Sequence, residues 1–191
     1  MSGLRPAVFL DRDGTLNVEV DYLSDPADLQ LLPGAGAAVA RLNREGWLAV
    51  VVTNQSGVAR GMLSEERLAE IHAELARQLK PFDAHLDGVY HCPHHPEIGE
   101  HPYRRVCECR KPLPGLLRDA SRELDIDLSR SWIVGDSRRD LEAGAALGLP
   151  GILVTTGKPL EPSGDVTHHT VADVGEAVDH ILASTPGAEE G

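Results

Sequence analysis

Ala7-Val8-Phe9-Leu10-Asp11-Arg12-Asp13-Gly14-Thr15-Leu16-Asn17 sets four apolar residues in a row before two aspartates and a glycine. An apolar run this short, closed by a turn signal, reads as a strand buried on both faces, which is the signature of a parallel sheet. Active sites of open α/β sheets lie outside the carboxyl ends of the strands, so Asp11 and Asp13 emerge where chemistry would sit. Being two apart, they face the same side if the chain stays extended, and Gly14 lets it turn away sharply afterwards.

Working outward, the same kind of run recurs at Leu48 to Val52, Gly88 to Tyr90, Trp132 to Val134 and Ile152 to Val154, with helical patterns between. Ser64 caps a segment whose Leu68, Ile71, Leu75 and Leu79 make one stripe. Residues 34–45, 114–124, the stretch after Asp140 closed by Gly148, and 174–182 supply the other helices. The alternation predicts an α/β fold, a Rossmann-like doubly wound parallel sheet with no large cap domain. Residues 1–183 are expected to form one domain, with 184–191 a tail too poor in apolar residues to pack.

Composition narrows the function. Acidic residues number 30 against 18 Lys and Arg, a net charge of -12 that repels nucleic acid and anionic membrane. The start of the chain lacks a long apolar segment, no window approaches a membrane span, and a cytoplasmic location is the expectation. There the three cysteines stay reduced. Aromatic residues at 4% are compatible with a compact monomer.

Two further strand ends and one helix start add polar groups. Thr53-Asn54-Gln55-Ser56-Gly57 offers a hydroxyl, amides and loop N–H groups for phosphate oxygens. Arg110-Lys111 places cations ahead of a helix, and Gly135-Asp136-Ser137 with Asp140 brings more carboxylate to the same edge. Clustered carboxylates beside a phosphate point to a hard divalent cation such as Mg²⁺. Singly, each of these is more often a solvated turn or a cap; four at the same sheet edge are not.

All three cysteines fall between His91 and Lys111, a stretch without strand or helix periodicity: Cys92-Pro93-His94 and Cys107-Glu108-Cys109. Two short pairs across a spacer have the form of a four-ligand zinc site, which would supply the free energy that packing cannot. His91, His95 and His101 compete with His94 for the fourth place.

The set Asp11-x-Asp13-Gly14-Thr15, Thr53-Asn54, Lys111 and Gly135-Asp136 with Asp140 resembles the four motifs of the haloacid dehalogenase superfamily, in order. Cys92-Pro93-His94-His95-Pro96, Cys107-Glu108-Cys109-Arg110-Lys111-Pro112 and Thr156-Gly157-Lys158 resemble its zinc-loop branch, over residues 7–160. The resemblance implies a phosphatase in which Asp11 attacks phosphorus and Asp13 protonates the leaving oxygen, then activates water. It implies Mg²⁺ at Asp11, Asp136 and the Asp13 carbonyl, stabilisation of the phosphoryl group by Thr53 and Lys111, and structural zinc at Cys92, His94, Cys107 and Cys109. Arg110 is implied to touch substrate, with Asn54, Gln55, Ser56, Glu19 and Tyr22 around it. The implied reaction is removal of the C7 phosphate from a heptose 1,7-bisphosphate in nucleotide-activated heptose synthesis. Histidinol phosphate is the alternative substrate, and a non-enzymatic zinc-stabilised binding module is the remaining class. Two departures stand out: Ser137 occupies a place where the branch often has Lys, with Arg138 and Arg139 following, and the stretch Glu19-Val20-Asp21-Tyr22 is acidic.

Overall fold

A computed structural model describes residues 3–157 and 168–184. Six parallel strands, β1 (Ala7–Leu10), β2 (Leu48–Asn54), β3 (Gly88–Cys92), β4 (Trp132–Gly135), β5 (Gly151–Val154) and β6 (His168–Val171), lie in the order β3-β2-β1-β4-β5-β6. Helices α1 (Ala35–Arg44), α2 (Glu65–Leu79), α3 (Gly115–Glu123), α4 (Arg138–Ala145) and α5 (Val174–Ser184) connect and flank them. The doubly wound sheet expected from the alternation is present, and no cap domain is inserted among the described residues. Lys158 and residues 185–191 of the expected tail lie outside the described residues, while Ser184 ends α5.

Each face of the sheet has its own apolar layer. On one side Leu10, Leu42, Val51, Ile71, Leu75 and Val178 bring α1, α2 and α5 against the strands; on the other, Phe9, Val50, Leu117, Ile133 and Ala143 seat α3 and α4. Every residue of β1 is wholly buried, so the apolar run is contiguous because both faces are covered. The stripe of α2 is buried at all four positions, and Ser64 Oγ accepts from Arg67 N at 3.2 Å, satisfying one orphan N–H of the first turn.

Two strands differ from the sequence expectation. β3 runs on through His91 to Cys92, pairing Asn54 with Cys92 and so tying the cysteine loop to the end of β2. β6, His-His-Thr-Val, is an extra edge strand whose residues are largely exposed, and it carries no apolar pattern to betray it. Strand order reverses between β1 and β4, which opens a crevice at their carboxyl ends. Among the described residues no helix is long and apolar enough to cross a membrane.

Candidate active site

Asp11 follows β1 and Asp136 follows β4, so the two stand on either side of the point where strand order reverses. Lys111 reaches Asp11 from the far side of the cysteine loop. Its Nζ lies 2.8 Å from Asp11 Oδ1, 2.6 Å from Asp140 Oδ1 and 2.6 Å from the Val52 carbonyl, and the side chain is 1% exposed. Burial disfavours the Lys111 charge, but Asp11 and Asp140 outweigh it and hold the ammonium above its ordinary pKa. Burial also pushes the Asp11 carboxyl up to about 7: Lys111 pulls it down, while Asp140 and Asp136 add to the rise.

The Lys111 backbone is fixed by Asn54, whose Oδ1 accepts from Lys111 N and whose Nδ2 donates to Lys111 O, each at 3.0 Å. The Asn54 amide expected at the substrate is thus engaged with the chain. Asp140 is engaged too: its Oδ2 accepts from Ser137 N at 3.1 Å and Ser137 Oγ at 2.5 Å, closing the first turn of α4.

Asp13 faces a different set. Its carboxylate accepts from Arg12 Nε and Nη2, from Asn17 Nδ2 at 3.0 Å and from Gln55 Nε2 at 2.8 Å. Burial raises the Asp13 carboxyl, but Arg12, with the Asn17 and Gln55 bonds, holds it below the usual carboxylate range. Gln55 Nε2 also donates to Thr53 Oγ1 at 2.9 Å, which leaves the Thr53 hydroxyl proton free to point elsewhere.

The cleft above these groups is lined by most of the expected residues, including Glu19, Tyr22, Asn54, Ser56 and Arg110. Arg110 Nη1 donates to the His94 carbonyl at 3.1 Å. Arg139, one of the two bases after Ser137, lines the cleft as well, and so does a cation to which the sequence reading assigned no role: Arg60, whose guanidinium sits 5.1 Å from the centre of the Tyr22 ring. Arg138 instead runs along α4 to Glu142. Tyr22 is held at φ 55°, a left-handed conformation rare for a non-glycine residue.

Both metal sites read from the sequence can be tested on their donors. Asp11, Asp136 and Asp140 offer carboxylate oxygens within 4.8 Å of one another, with Lys111 paired to Asp11 and Asp140. Three carboxylates against one ammonium leave net negative charge in a nearly buried place, which a hard divalent cation would offset. Gly14 and Gly157 make the space: a Cβ on Gly14 would stand 2.5 Å from Asp136 Oδ2. The Asp13 carboxylate is not in this cluster.

The sulfurs of Cys92, Cys107 and Cys109 and the Nδ1 of His94 form the second cluster, with contacts between 3.2 and 3.6 Å. Bonds of ~2.3 Å around tetrahedral zinc put ligand atoms ~3.8 Å apart, so the four donors already approach that shape. The close contact with Cys92, helped by those with Cys107 and His94, outweighs burial and brings the Cys109 thiol down to about 5, toward the thiolate a metal requires. Of the competing histidines, His95 Nδ1 accepts from the backbone of Glu97 and Ile98 and His91 Nε2 faces Glu65, so His94 is the one turned to the sulfurs.

Residues 108–182 match the family model described as HAD-hydrolase-like. The chain is 44% identical over 179 residues to the D-glycero-beta-D-manno-heptose-1,7-bisphosphate 7-phosphatase of Vibrio cholerae, covering 93% of this chain and 96% of the relative. It is 41% identical over 182 residues to that of Photorhabdus laumondii, with 92% and 96% covered. A solved structure of the D,D-heptose 1,7-bisphosphate phosphatase of B. bronchiseptica, complexed with magnesium and phosphate, superimposes with a TM-score of 0.80 at 36% identity, covering 94% of this chain and 99% of that one.

Proposed function

The chain belongs to the heptose-1,7-bisphosphate 7-phosphatase family of haloacid dehalogenase-like hydrolases, and we propose that it removes the C7 phosphate of D-glycero-D-manno-heptose 1,7-bisphosphate, leaving heptose 1-phosphate. Asp11 is the nucleophile. One of its oxygens attacks phosphorus, the bond from phosphorus to the C7 oxygen breaks, and Asp13, an ionised carboxylate in the free site that takes up a proton from the bound phosphate monoanion, passes that proton to the leaving oxygen. Asp13 then takes a proton from water as the water attacks the aspartyl-phosphate, and the electron pair of the broken bond returns to Asp11. Thr53, whose oxygen is occupied by Gln55, donates its hydroxyl to a phosphoryl oxygen, and Lys111 lies against Asp11 where negative charge spreads in the transition state.

Asp11, Asp136 and the Asp13 carbonyl would hold Mg²⁺, which when bound adds positive charge at the phosphoryl oxygens. Zinc at Cys92, His94, Cys107 and Cys109 would have no open position for water, so its part is to fix the loop that carries Arg110 and Lys111. The substrate is a small phosphorylated sugar, and the enzyme works in the cytoplasm as a monomer.

The observation that carries the bisphosphate reading is that Arg60, Arg110 and Arg139 line the same cleft as Asp11. The groups around Asp11 serve any phosphate monoester; three guanidiniums beside them suit a second phosphate, which histidinol phosphate does not have. The test compares kcat/KM for heptose 1,7-bisphosphate and histidinol phosphate in wild type and Arg110→Ala. Wild type is expected to favour the bisphosphate, and Arg110→Ala to narrow the ratio; a better rate on histidinol phosphate would overturn the assignment.

A further inference from the structure

Arg12 heads the described side chains by volume among those that are wholly buried, at 0% exposure, although it stands between two site aspartates. An arginine is seldom sealed from water unless its charge is matched. Here the match is Asp13 alone among the described residues: Arg12 Nη2 lies 2.8 Å from Oδ2 and 3.0 Å from Oδ1, and Nε lies 3.1 Å from Oδ1. The Arg12 carbonyl also accepts from the N–H groups of Thr15, Leu16 and Asn17, which ties the arginine into the turn that carries Asp13 and Asn17. His72 nearby is pushed down to about 3 by burial and then by the charges of Arg12 and His91, so it stays neutral and adds no second positive charge beside Arg12.

We propose that Arg12 is a positioning residue for the reaction: its planar fork fixes the plane and direction of the Asp13 carboxyl, so that the carboxyl meets the leaving oxygen of an alkyl phosphate. Resting on the phosphatase reading above, this assigns the main share of the task to Arg12, because Asn17 on Oδ1 and Gln55 on Oδ2 each add one bond from a separate side chain, whereas one rigid guanidinium spans both oxygens. In the step concerned, the bond from phosphorus to the sugar oxygen breaks, its electron pair stays on that oxygen, and a proton moves to it from Asp13, which Arg12 keeps ionised until it takes that proton from the bound phosphate monoanion. A sugar alkoxide is a poor leaving group and needs that proton; a nitrophenolate leaves without it. Misaiming Asp13 therefore penalises one substrate and spares the other, whereas a purely structural ion pair would penalise both.

The experiment measures kcat/KM for heptose 1,7-bisphosphate and for 4-nitrophenyl phosphate with Mg²⁺, in wild type, Arg12→Met, Arg12→Lys, Asp13→Asn and Asp13→Asn with Arg12→Lys. This constant reports the steps up to release of the alcohol, so slow hydrolysis of the aspartyl-phosphate does not mask the effect. The sugar-to-nitrophenyl ratio is expected to fall on the order of 10²-fold in Arg12→Lys and in Arg12→Met, the loss that a misplaced group typically brings. It should fall no further when Arg12→Lys is added to Asp13→Asn. Arg12→Lys keeps the charge and the stem, so it reports on the fork even if Arg12→Met does not fold. Equal losses on both substrates, or an unchanged ratio, would overturn the proposal. If wild type fails on the sugar bisphosphate, or Asp13→Asn keeps the wild-type ratio, it is the underlying reading of the site that fails.

Discussion

Replacing Lys111 by Met keeps the length of the side chain and removes the charge around which the site is built. The Nζ is shared by Asp11 and Asp140 and capped by the Val52 carbonyl, all within 2.8 Å, and Met leaves these oxygens facing one another without a cation. Breaking a buried ion pair from one side costs about 3–5 kcal/mol, because the partner's charge remains. For a chain of this size that lowers Tm by about 6–20 °C. The loss must depend on pH. Asp11 is already raised by burial to about 7 with Lys111 present, and without Lys111 it rises further. A carboxyl raised in the folded state contributes stability below its unfolded pKa and loses it as pH climbs through the folded value, so the Asp11 part of the Lys111→Met deficit is small near pH 5 and grows by pH 8, on top of the part left by the unpaired Asp140. Mg²⁺ restores part of it by returning positive charge to the same oxygens, while turnover stays down by about 10²–10³-fold because the cation facing the phosphoryl group is gone. Thermal unfolding near pH 5 and near pH 8, with and without Mg²⁺, measures all of this. A drop in Tm of equal size at both pH values and indifferent to Mg²⁺ would show that the side chain matters for packing alone.

The raised Asp11 carboxyl must lose its proton to ligate a cation, so Mg²⁺ affinity by calorimetry should tighten about tenfold per pH unit up to about pH 7 and then level off; a flat profile would remove Asp11 from the metal site. Gly157→Ala puts a Cβ into the Asp136 carboxylate and should weaken Mg²⁺ binding while the far-UV spectrum is unchanged; unaltered affinity would mean that Asp136 can shift freely. Cys107→Ser should strip zinc from the protein and lower its stability, as read by elemental analysis and unfolding; a full zinc content in that variant would take Cys107 out of the ligand set.

The strands and their aspartates were legible because β1, β2, β4 and β5 are buried on both faces and so appear as unbroken apolar runs. β6 was not, since His168, His169 and Thr170 lie exposed at the sheet edge where nothing demands an apolar pattern. The cysteine loop announced itself by the want of periodicity, but which histidine stands beside the sulfurs shows only in space, in the contacts of His94 Nδ1 with Cys92 and Cys109. Arg12 was missed because an arginine between two aspartates looks solvated. Its signal was present nonetheless: if Asp11 and Asp13 face the crevice, the residue between them must face the opposite way. The pairing of Lys111 with Asp140, and the turning of Arg139 rather than Arg138 into the cleft, depend on how α4 meets the end of β4, which no local pattern encodes.

That Asp11 carries the C7 phosphate is tested most directly by mixing the protein with heptose 1,7-bisphosphate and Mg²⁺, quenching rapidly in acid, and mapping phosphorylated peptides alongside the released sugar. One phosphoryl group on Asp11, formed in step with heptose 1-phosphate and absent from Asp11→Asn, is the expected result. Heptose 7-phosphate as product, or turnover by Asp11→Asn at the wild-type rate, would contradict it.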